Sequence, residues 1–453
     1  MEQTLLKRKM FLAGEWVSRE KTIDVENPQN GEIIAQIPAA TREDALYAIN
    51  EGIKGAEIAR NLPTYERITI LNKVANWIED RQSLFARTIA TEGSKTIREA
   101  EKEVRRCIQT IRISAEEARR LHGETIPFDQ SPGNENRVGY YQRLPIGLIV
   151  AITPFNDPLN LVAHKLGPAI AAGNSIIIKP STLTPLSALL LAEAFYEAGL
   201  PKKVLSVITG HSSDIGDELV TNPAVRMISF TGGYEAGKII SSKAGIKKLS
   251  MELGSNSPCI VLQDADIQDA VESIVSGAFW AAGQNCLGVQ RVYIDEEIYT
   301  SFEGLLVERT KQLQMGDKLN PLTDMGPLIT EKEAIRIENL VQETLQEGAK
   351  LLCGGKRNGA FYEPTILTNV HPESKIAKEE IFGPVVILDS IKDLDEAIQK
   401  SNNVMYGLQA GIFTKNLDLA FRAIKNMEFG GIMVNDSSDF RIDSMPFGGM
   451  KQS

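Results

Sequence analysis

The sequence predicts an α/β protein of two doubly wound parallel-sheet lobes with a small protruding β hairpin. Three observations carry that prediction. The chain has 453 residues, and at about 150 residues per domain it divides into about three compact units. Hydrophobic residues make up 43% and charged residues 24%, which fits a folded globular protein and excludes disorder and fibrous repeats. Beyond residue 145, short apolar runs alternate with segments of helical period, as strands and crossover helices do.

Residues 42–120 read as a helical layer. Apolar residues recur three and four apart through Ala45, Ile49 and Ile53, and again through Ile68, Leu71, Val74 and Ile78. Residues 121–143 then cluster Gly, Pro, Asn and Asp before an extended stretch with Val138 and Tyr140, which predicts the hairpin. The first alternation runs strand 175–179, helix 185–198, strand 204–208, helix 213–220, strand 227–230 and helix 236–243. A helix over 267–282 leads to the second, with helices over 299–313 and 331–347, a strand over 385–388 and a helix over 394–400. No internal repeat or low-complexity tract is evident, so solenoids are excluded. Residues 1–121 with 145–253 form one lobe and residues 254–434 the other, while 122–144 and 435–453 are bridging segments.

Charge and cysteine content exclude other classes. Lys plus Arg total 49 against 59 Asp plus Glu, a net charge of -10 that repels nucleic acid and gives no general attraction to anionic membranes. The strongly apolar stretch 146–155 is too short to span a bilayer, and residues 1–20 have no signal-peptide core, which predicts a cytoplasmic protein. Four cysteines, at 107, 259, 286 and 353, form no CxxC pair and have no histidine at ligand spacing, so no disulfide and no metal site are expected.

Among the 36 glycines no pair is spaced as GxG, so the usual dinucleotide fingerprint is absent. Gly232-Gly233-Tyr234-Glu235-Ala236-Gly237-Lys238 satisfies GxxxxGK but continues with Ile239, which lacks the hydroxyl a phosphate loop gives to magnesium. Its strand–loop–helix setting still offers free N–H groups to a pyrophosphate; a plain glycine turn is the alternative. Cys286, in Gly283-Gln284-Asn285-Cys286, lies where the second lobe begins, and clefts form at such junctions. It is either a nucleophile activated by nearby amides, a cation or a base, or one more small buried hydrophobe. Glu252 ends a strand-like run, where a carboxylate partly removed from water suits a general base; a salt-bridged edge glutamate is the alternative. Asn156, between Pro154 and Pro158, sits in a rigid turn from which its amide can serve an oxyanion or simply form the turn. His164 reads as a packed helix residue.

In this order the motifs resemble the aldehyde dehydrogenase superfamily across essentially the whole chain. They begin with Phe11-Leu12-Ala13-Gly14-Glu15-Trp16 and Asn27-Pro28 and continue with Thr153-Pro154-Phe155-Asn156-Asp157-Pro158, Ile178-Lys179-Pro180-Ser181 and Ser229-Phe230-Thr231-Gly232. Met251-Glu252-Leu253-Gly254, Gly283-Gln284-Asn285-Cys286, Glu379-Glu380-Ile381-Phe382-Gly383-Pro384 and Pro446-Phe447-Gly448-Gly449 complete the set. The resemblance implies an aldehyde dehydrogenase-like fold, with residues 1–121 and 145–253 binding NAD(P), 254–434 carrying catalysis, and 122–144 with 435–453 serving oligomerisation. It implies Cys286 as nucleophile, Asn156 with the Cys286 amide as oxyanion donors, and Glu252 as the base for water that hydrolyses the thioester. Cofactor contacts are implied for Lys179, Thr182, Phe155, Gly210, Thr231, Gly232, Gly233, Gly237, Glu380 and Phe382, and tentative substrate contacts for Asp157, Arg441 and Asn285. A homodimer or homotetramer is implied.

Departures refine the expectation. Gly233 and Ser255 are small-residue exchanges near the cofactor. Thr182 stands where relatives specific for NAD usually carry a glutamate, so NADP is permitted and slightly favoured, or used with NAD. Asp157 and Arg441 replace the aromatic residues of greasy tunnels, which predicts a polar aldehyde or one with a carboxylate, phosphonate or sulfonate. The pattern most resembles the lactaldehyde and phosphonoacetaldehyde dehydrogenase branch. The alternative for Arg441 is a surface or interface salt bridge. Relatives usually continue past Lys451-Gln452-Ser453 with a Gly-rich stretch and a strand, which predicts a C-terminal truncation. Rival readings are a CoA-acylating semialdehyde dehydrogenase, opposed by Glu252, and a silent binding or structural homologue, opposed by Cys286, Glu252, Asn156 and Lys179 together.

Overall fold

In the computed structural model, which describes residues 6–453, two seven-stranded sheets form the centres of two lobes. The first sheet runs, edge to edge, Lys248–Glu252, Val225–Thr231, Leu148–Ile152, Ser175–Lys179, Leu205–Val207, Met10–Leu12 and Glu15–Val17. Its first five strands are parallel and the N-terminal pair is antiparallel. Chain order reverses at Leu148–Ile152, which has Ser175–Lys179 on one side and Val225–Thr231 on the other; loops diverge there and leave a crevice at the carboxyl ends. Ser175–Lys179 is buried throughout, as a central parallel strand covered on both faces must be.

The second sheet runs Lys350–Cys353, Thr365–Thr368, Val385–Ile391, Val289–Asp295, Ser257–Val261, Gln409–Phe413 and Gly431–Val434, parallel except for its first strand. Every strand of the first sheet precedes residue 253, and every strand of the second falls between 257 and 434. Separate hydrophobic clusters pack on the faces of each.

The helical layer comprises Arg42–Asn61, Thr64–Glu79, Gln82–Glu92 and Ile97–Glu117. Thr41 with Asp44 and Thr96 with Glu99 form capping boxes that fix two of its starts. One expected core position differs: Ile53 is exposed and Gly52 is buried, because a Cβ at 52 would meet Leu148 Cδ1 at 2.8 Å. The Leu148 side chain lies against the helix backbone at that point, and a side chain at 52 would push it aside. The expected hairpin is present, with Glu124–Ile126 antiparallel to Gly139–Tyr141 and Val138 and Tyr140 exposed.

A second difference bears on the site. The helix expected over 267–282 ends at Phe279, and Ala281, Ala282 and Gly283 follow in left-handed conformation, with φ of 49°, 55° and 70°. The apolar alanines carried no signal of that turn. Among the described residues no helix is long and apolar enough to cross a membrane.

Candidate active site

The crevice opens into a cavity of about 750 Å³ between the two sheets. It is built from carboxyl ends of the first sheet and amino ends of the second. Of the residues singled out above, Cys286, Glu252, Asn156, Asn285, Asp157, Arg441 and Thr231 line it.

Asn156 and Asp157 arrive on the turn that follows Leu148–Ile152. Behind the turn, Glu103 from Ile97–Glu117 accepts the Leu159 and Asn160 amides at 2.8 and 2.9 Å, satisfying N–H groups at the start of the helix Asn160–Ala171. Lys95 donates to Glu103 at 2.8 Å and to Asp157, and Arg106 stands 3.7 Å from Asp157. Asp157 is therefore a paired carboxylate whose neighbours fix the turn.

Glu252 closes the edge strand Lys248–Glu252, and its carbonyl accepts the Gly232 amide at 3.1 Å. One carboxylate oxygen is buried without a hydrogen-bond partner. Burial raises its pKa, and Lys165 and Arg441 partly oppose that rise. Lys165 comes from the helix after the Asn156 turn and donates to Ser229 Oγ at 2.9 Å; burial brings its ammonium down to about 8.

Cys286 follows the left-handed turn. Ala281 N–H donates to Glu99 at 2.8 Å, Gln284 Nε2 donates to the Ala281 carbonyl at 2.8 Å, and Ile329 N–H donates to Gln284 Oε1 at 2.9 Å. Gly283 faces the Gly383 carbonyl so closely that no Cβ fits. Asn285 accepts the Leu287 amide at 3.0 Å, so its side chain supports the loop as well as lining the cavity. Cys286 keeps some exposed surface, yet desolvation, with Glu380 and Glu252 nearby, pushes its thiol up to about 12 while Arg441 opposes. A thiol held that high needs a base to become a nucleophile.

Arg441 lies beyond Gly431–Val434, where Asn435 takes a left-handed φ of 57° and the chain doubles back. Ser438 donates to the Leu287 carbonyl at 2.6 Å, and Gln409 donates to the Ser438 and Phe440 carbonyls at 2.7 and 3.1 Å. The Arg441 side chain is 10% exposed, stacks 4.2 Å from the centre of the Phe447 ring, and leaves its buried Nε without a partner. Asp443 stands 4.0 Å from it and accepts from Arg106 at 3.1 Å and from His164 at 2.9 Å. Burial pushes the Asp443 carboxyl up, but the bonds from His164 and Arg106 outweigh it and hold it well below the usual range. His164, packed on its helix against Asp443, also lines the cavity.

The remaining residues form a second group outside that lining. Lys179 ends a central strand, is 4% exposed, has no carboxylate partner among the described residues, and is brought by burial to about 8. Glu380 accepts the Ser255 amide at 2.8 Å, is pushed up to about 7 by burial, and packs against Gly254 where a Cβ would collide. Phe382 has a left-handed φ of 49° and sets its ring 5.8 Å from that of Phe155, edge to face. Gly233 caps the helix Tyr234–Ala244; side chains at Gly232 and Gly237 would strike Phe230 and Leu253. Gly210 sits against Ile215 and Ala40, and Thr182 lies in the bend after Lys179. An unpaired amine and a carboxylate fit the ribose hydroxyls of a nicotinamide dinucleotide, an aromatic pair its ring and a helix N-terminus its phosphates. Among the described residues no group of three or more His, Cys, Asp or Glu could hold a metal.

Lys165, Arg106, His164 and Asp443 were not singled out as site residues. A signal existed for Lys165, a cation among the buried positions Val162, Ala163 and Leu166 of an apolar helix. Buried Glu99 and Glu103 likewise mark a polar face on the helix that carries Arg106. Nothing in the sequence pairs His164 with Asp443.

Residues 16–453 match the aldehyde dehydrogenase family. The chain is 46% identical over 446 residues to 3-sulfolactaldehyde dehydrogenase of Priestia aryabhattai, covering 98% of this chain and 93% of that protein. It superposes with a TM-score of 0.97 and 40% identity on aldehyde dehydrogenase 21 from Physcomitrella patens in complex with the reaction product succinate, covering 99% of this chain and 94% of that one. The glyceraldehyde-3-phosphate dehydrogenase GapN from Methanocaldococcus jannaschii, complexed with NADP, gives 0.92 and 41%, covering 96% and 95%. The chain belongs to the aldehyde dehydrogenase family. It is an oxidoreductase that acts on aldehydes.

Proposed function

We propose that this enzyme oxidises a small polar or anionic aldehyde to its carboxylic acid, with NAD or NADP, through a thioester on Cys286 that water hydrolyses. The observation that carries the reading is one cavity holding a thiol, a carboxylate oxygen without a partner and a guanidinium whose Nε is also without one. Glu252 takes the thiol proton as sulfur adds to the aldehyde carbon, and Asn156 with the Cys286 amide stabilises the oxyanion. A bound nicotinamide would supply the acceptor for the hydride that leaves that carbon. Once Glu252 has passed the thiol proton to solvent, its carboxylate removes a proton from water as the water attacks the thioester, and returning that proton to the departing sulfur releases the acid and the thiol. Raising pH favours both the thiolate and the Glu252 carboxylate, so turnover rises with pH on its acidic side.

Lys179 and the 232–237 turn of the first lobe, with Glu380 and Phe382 reaching across from the second, would hold the cofactor, and the second lobe, residues 254–434, also supplies the nucleophile. Thr182 leaves room for a 2′-phosphate, which favours NADP slightly; Thr182→Glu is expected to lower kcat/KM for NADP relative to NAD by about tenfold. Arg441 and Arg106 supply cationic groups for the far end of the substrate, in keeping with relatives named for sulfolactaldehyde and solved with succinate. The exposed hairpin supports a homodimer or homotetramer. The cytoplasm is the compartment that suits four unpaired cysteines.

The test is reduced-nicotinamide absorbance with NAD and NADP over lactaldehyde, sulfolactaldehyde, glyceraldehyde 3-phosphate, phosphonoacetaldehyde and succinic semialdehyde, in ¹⁸O-water without CoA. Free acid formed without CoA and labelled with ¹⁸O from water is the expected product. A requirement for CoA would replace this reading with the acylating one.

A further inference from the structure

Three successive left-handed residues, two of them alanines, stand just before the nucleophile. A Cβ disfavours that conformation, so such a turn persists only where surrounding contacts over-determine it. The Ala281 peptide is gripped on both sides: Gln284 holds its carbonyl at 2.8 Å and Glu99 holds its N–H at 2.8 Å. Gln284 belongs to the turn itself. Glu99 does not; it lies 182 residues away, on the helical layer of the first lobe, and is buried.

Glu99 has two tasks. Its second oxygen accepts the Thr96 amide at 2.8 Å, closing the capping box of Ile97–Glu117. The helix Arg42–Asn61 closes its own box with the shorter Asp44, so an aspartate suffices for capping in this protein. The extra methylene of Glu99 is needed only for the reach to Ala281.

We propose that Glu99 is a positioning residue: its carboxylate holds the turn at Ala281–Gly283 left-handed, so that the Cys286 thiol and amide are presented to the substrate in one orientation. The inference rests on Cys286 being the nucleophile, and removing the clamp lets the alanines relax toward ordinary backbone and swings the cysteine away.

The decisive variant is Glu99→Asp, which keeps charge and cap but falls short of Ala281. Turnover is measured per Cys286 titrated with iodoacetamide, alongside Tm and KM for the nicotinamide cofactor. The expected result is a kcat lower by about 10- to 100-fold, with Tm and cofactor KM little changed. Adding Ala281→Gly, which removes the Cβ penalty, is expected to recover several-fold of that loss. A Glu99→Asp enzyme with parental kcat per titrated thiol would overturn the proposal, as would a loss that Ala281→Gly leaves untouched. Should Glu99→Asp fail to fold, Glu99→Gln replaces it: its single acceptor cannot serve both the Thr96 and the Ala281 amides, so a several-fold loss of kcat per titrated thiol that Ala281→Gly restores is expected, and a parental kcat would overturn the proposal. Cys286→Ala runs beside them: full activity there sinks the nucleophile reading itself, whereas a dead Cys286→Ala with an unimpaired Glu99→Asp sinks only the clamp.

Discussion

Two sets of ionisable groups meet at the cavity, the second centred on Asp443 just behind the lining residues His164 and Arg106, and they are treated in opposite ways. Around Cys286, burial dominates: the thiol is pushed up to about 12, Glu252 is raised with a bare oxygen, and Lys165 is brought down to about 8. Around Asp443, pairing dominates, and bonds from His164 and Arg106 hold the carboxyl low despite burial. Groups left uncompensated are poised to exchange protons, whereas groups that neutralise one another hold shape and charge. Arg441 belongs to both, since it acts electrostatically on Cys286 and Glu252 and stands 4.0 Å from Asp443.

The largest expected effect is on the uncompensated set. Cys286→Ala is expected to lower kcat by about 10³-fold or more, measured as reduced nicotinamide formed. Glu252→Gln follows, with a loss of about 10²- to 10⁴-fold. Because burial raises the Glu252 pKa, the parent should gain activity with pH through a range above ordinary carboxylates, and a pH profile of the variant should lack that limb.

The bridging residue comes next. Arg441→Met is expected to cut kcat/KM for an anionic aldehyde by about 10- to 100-fold, the worth of a charged hydrogen bond. The smallest effect lies in the compensated set. Asp443→Asn should lower Tm by about a few degrees at pH 7. Its carboxyl is depressed in the fold, so its contribution is present above the unfolded pKa of about 3.9 and fades as pH falls through the folded value. The Tm difference between parent and variant should therefore shrink near pH 3.

What the sequence made legible followed from period and motif. The strand Ser175–Lys179 and the helix Tyr299–Lys311 were readable because each answers to one local pattern of burial. Cys286, Glu252 and Asn156, named from motifs, and Arg441, named from its position, are brought to one cavity. Ile53 misled because the close approach of Leu148 to Gly52, a tertiary fact, rotates the buried face of its helix. The left-handed Ala281–Gly283 turn was hidden because alanine is a strong helix former, and its conformation is imposed by Glu99 and Gln284. His164 and Asp443 are 279 residues apart, and neither has a neighbour in sequence that announces the other. Residues whose role is set by a distant partner leave no periodic trace.

The measurement that tests the account most directly compares kcat/KM for an anionic aldehyde and an uncharged one of equal length, in the parent enzyme and in Arg441→Met. The division of the cavity into reacting and charge-matching groups predicts that the parent prefers the anion and that the ratio collapses toward unity in the variant. An unchanged ratio would contradict it.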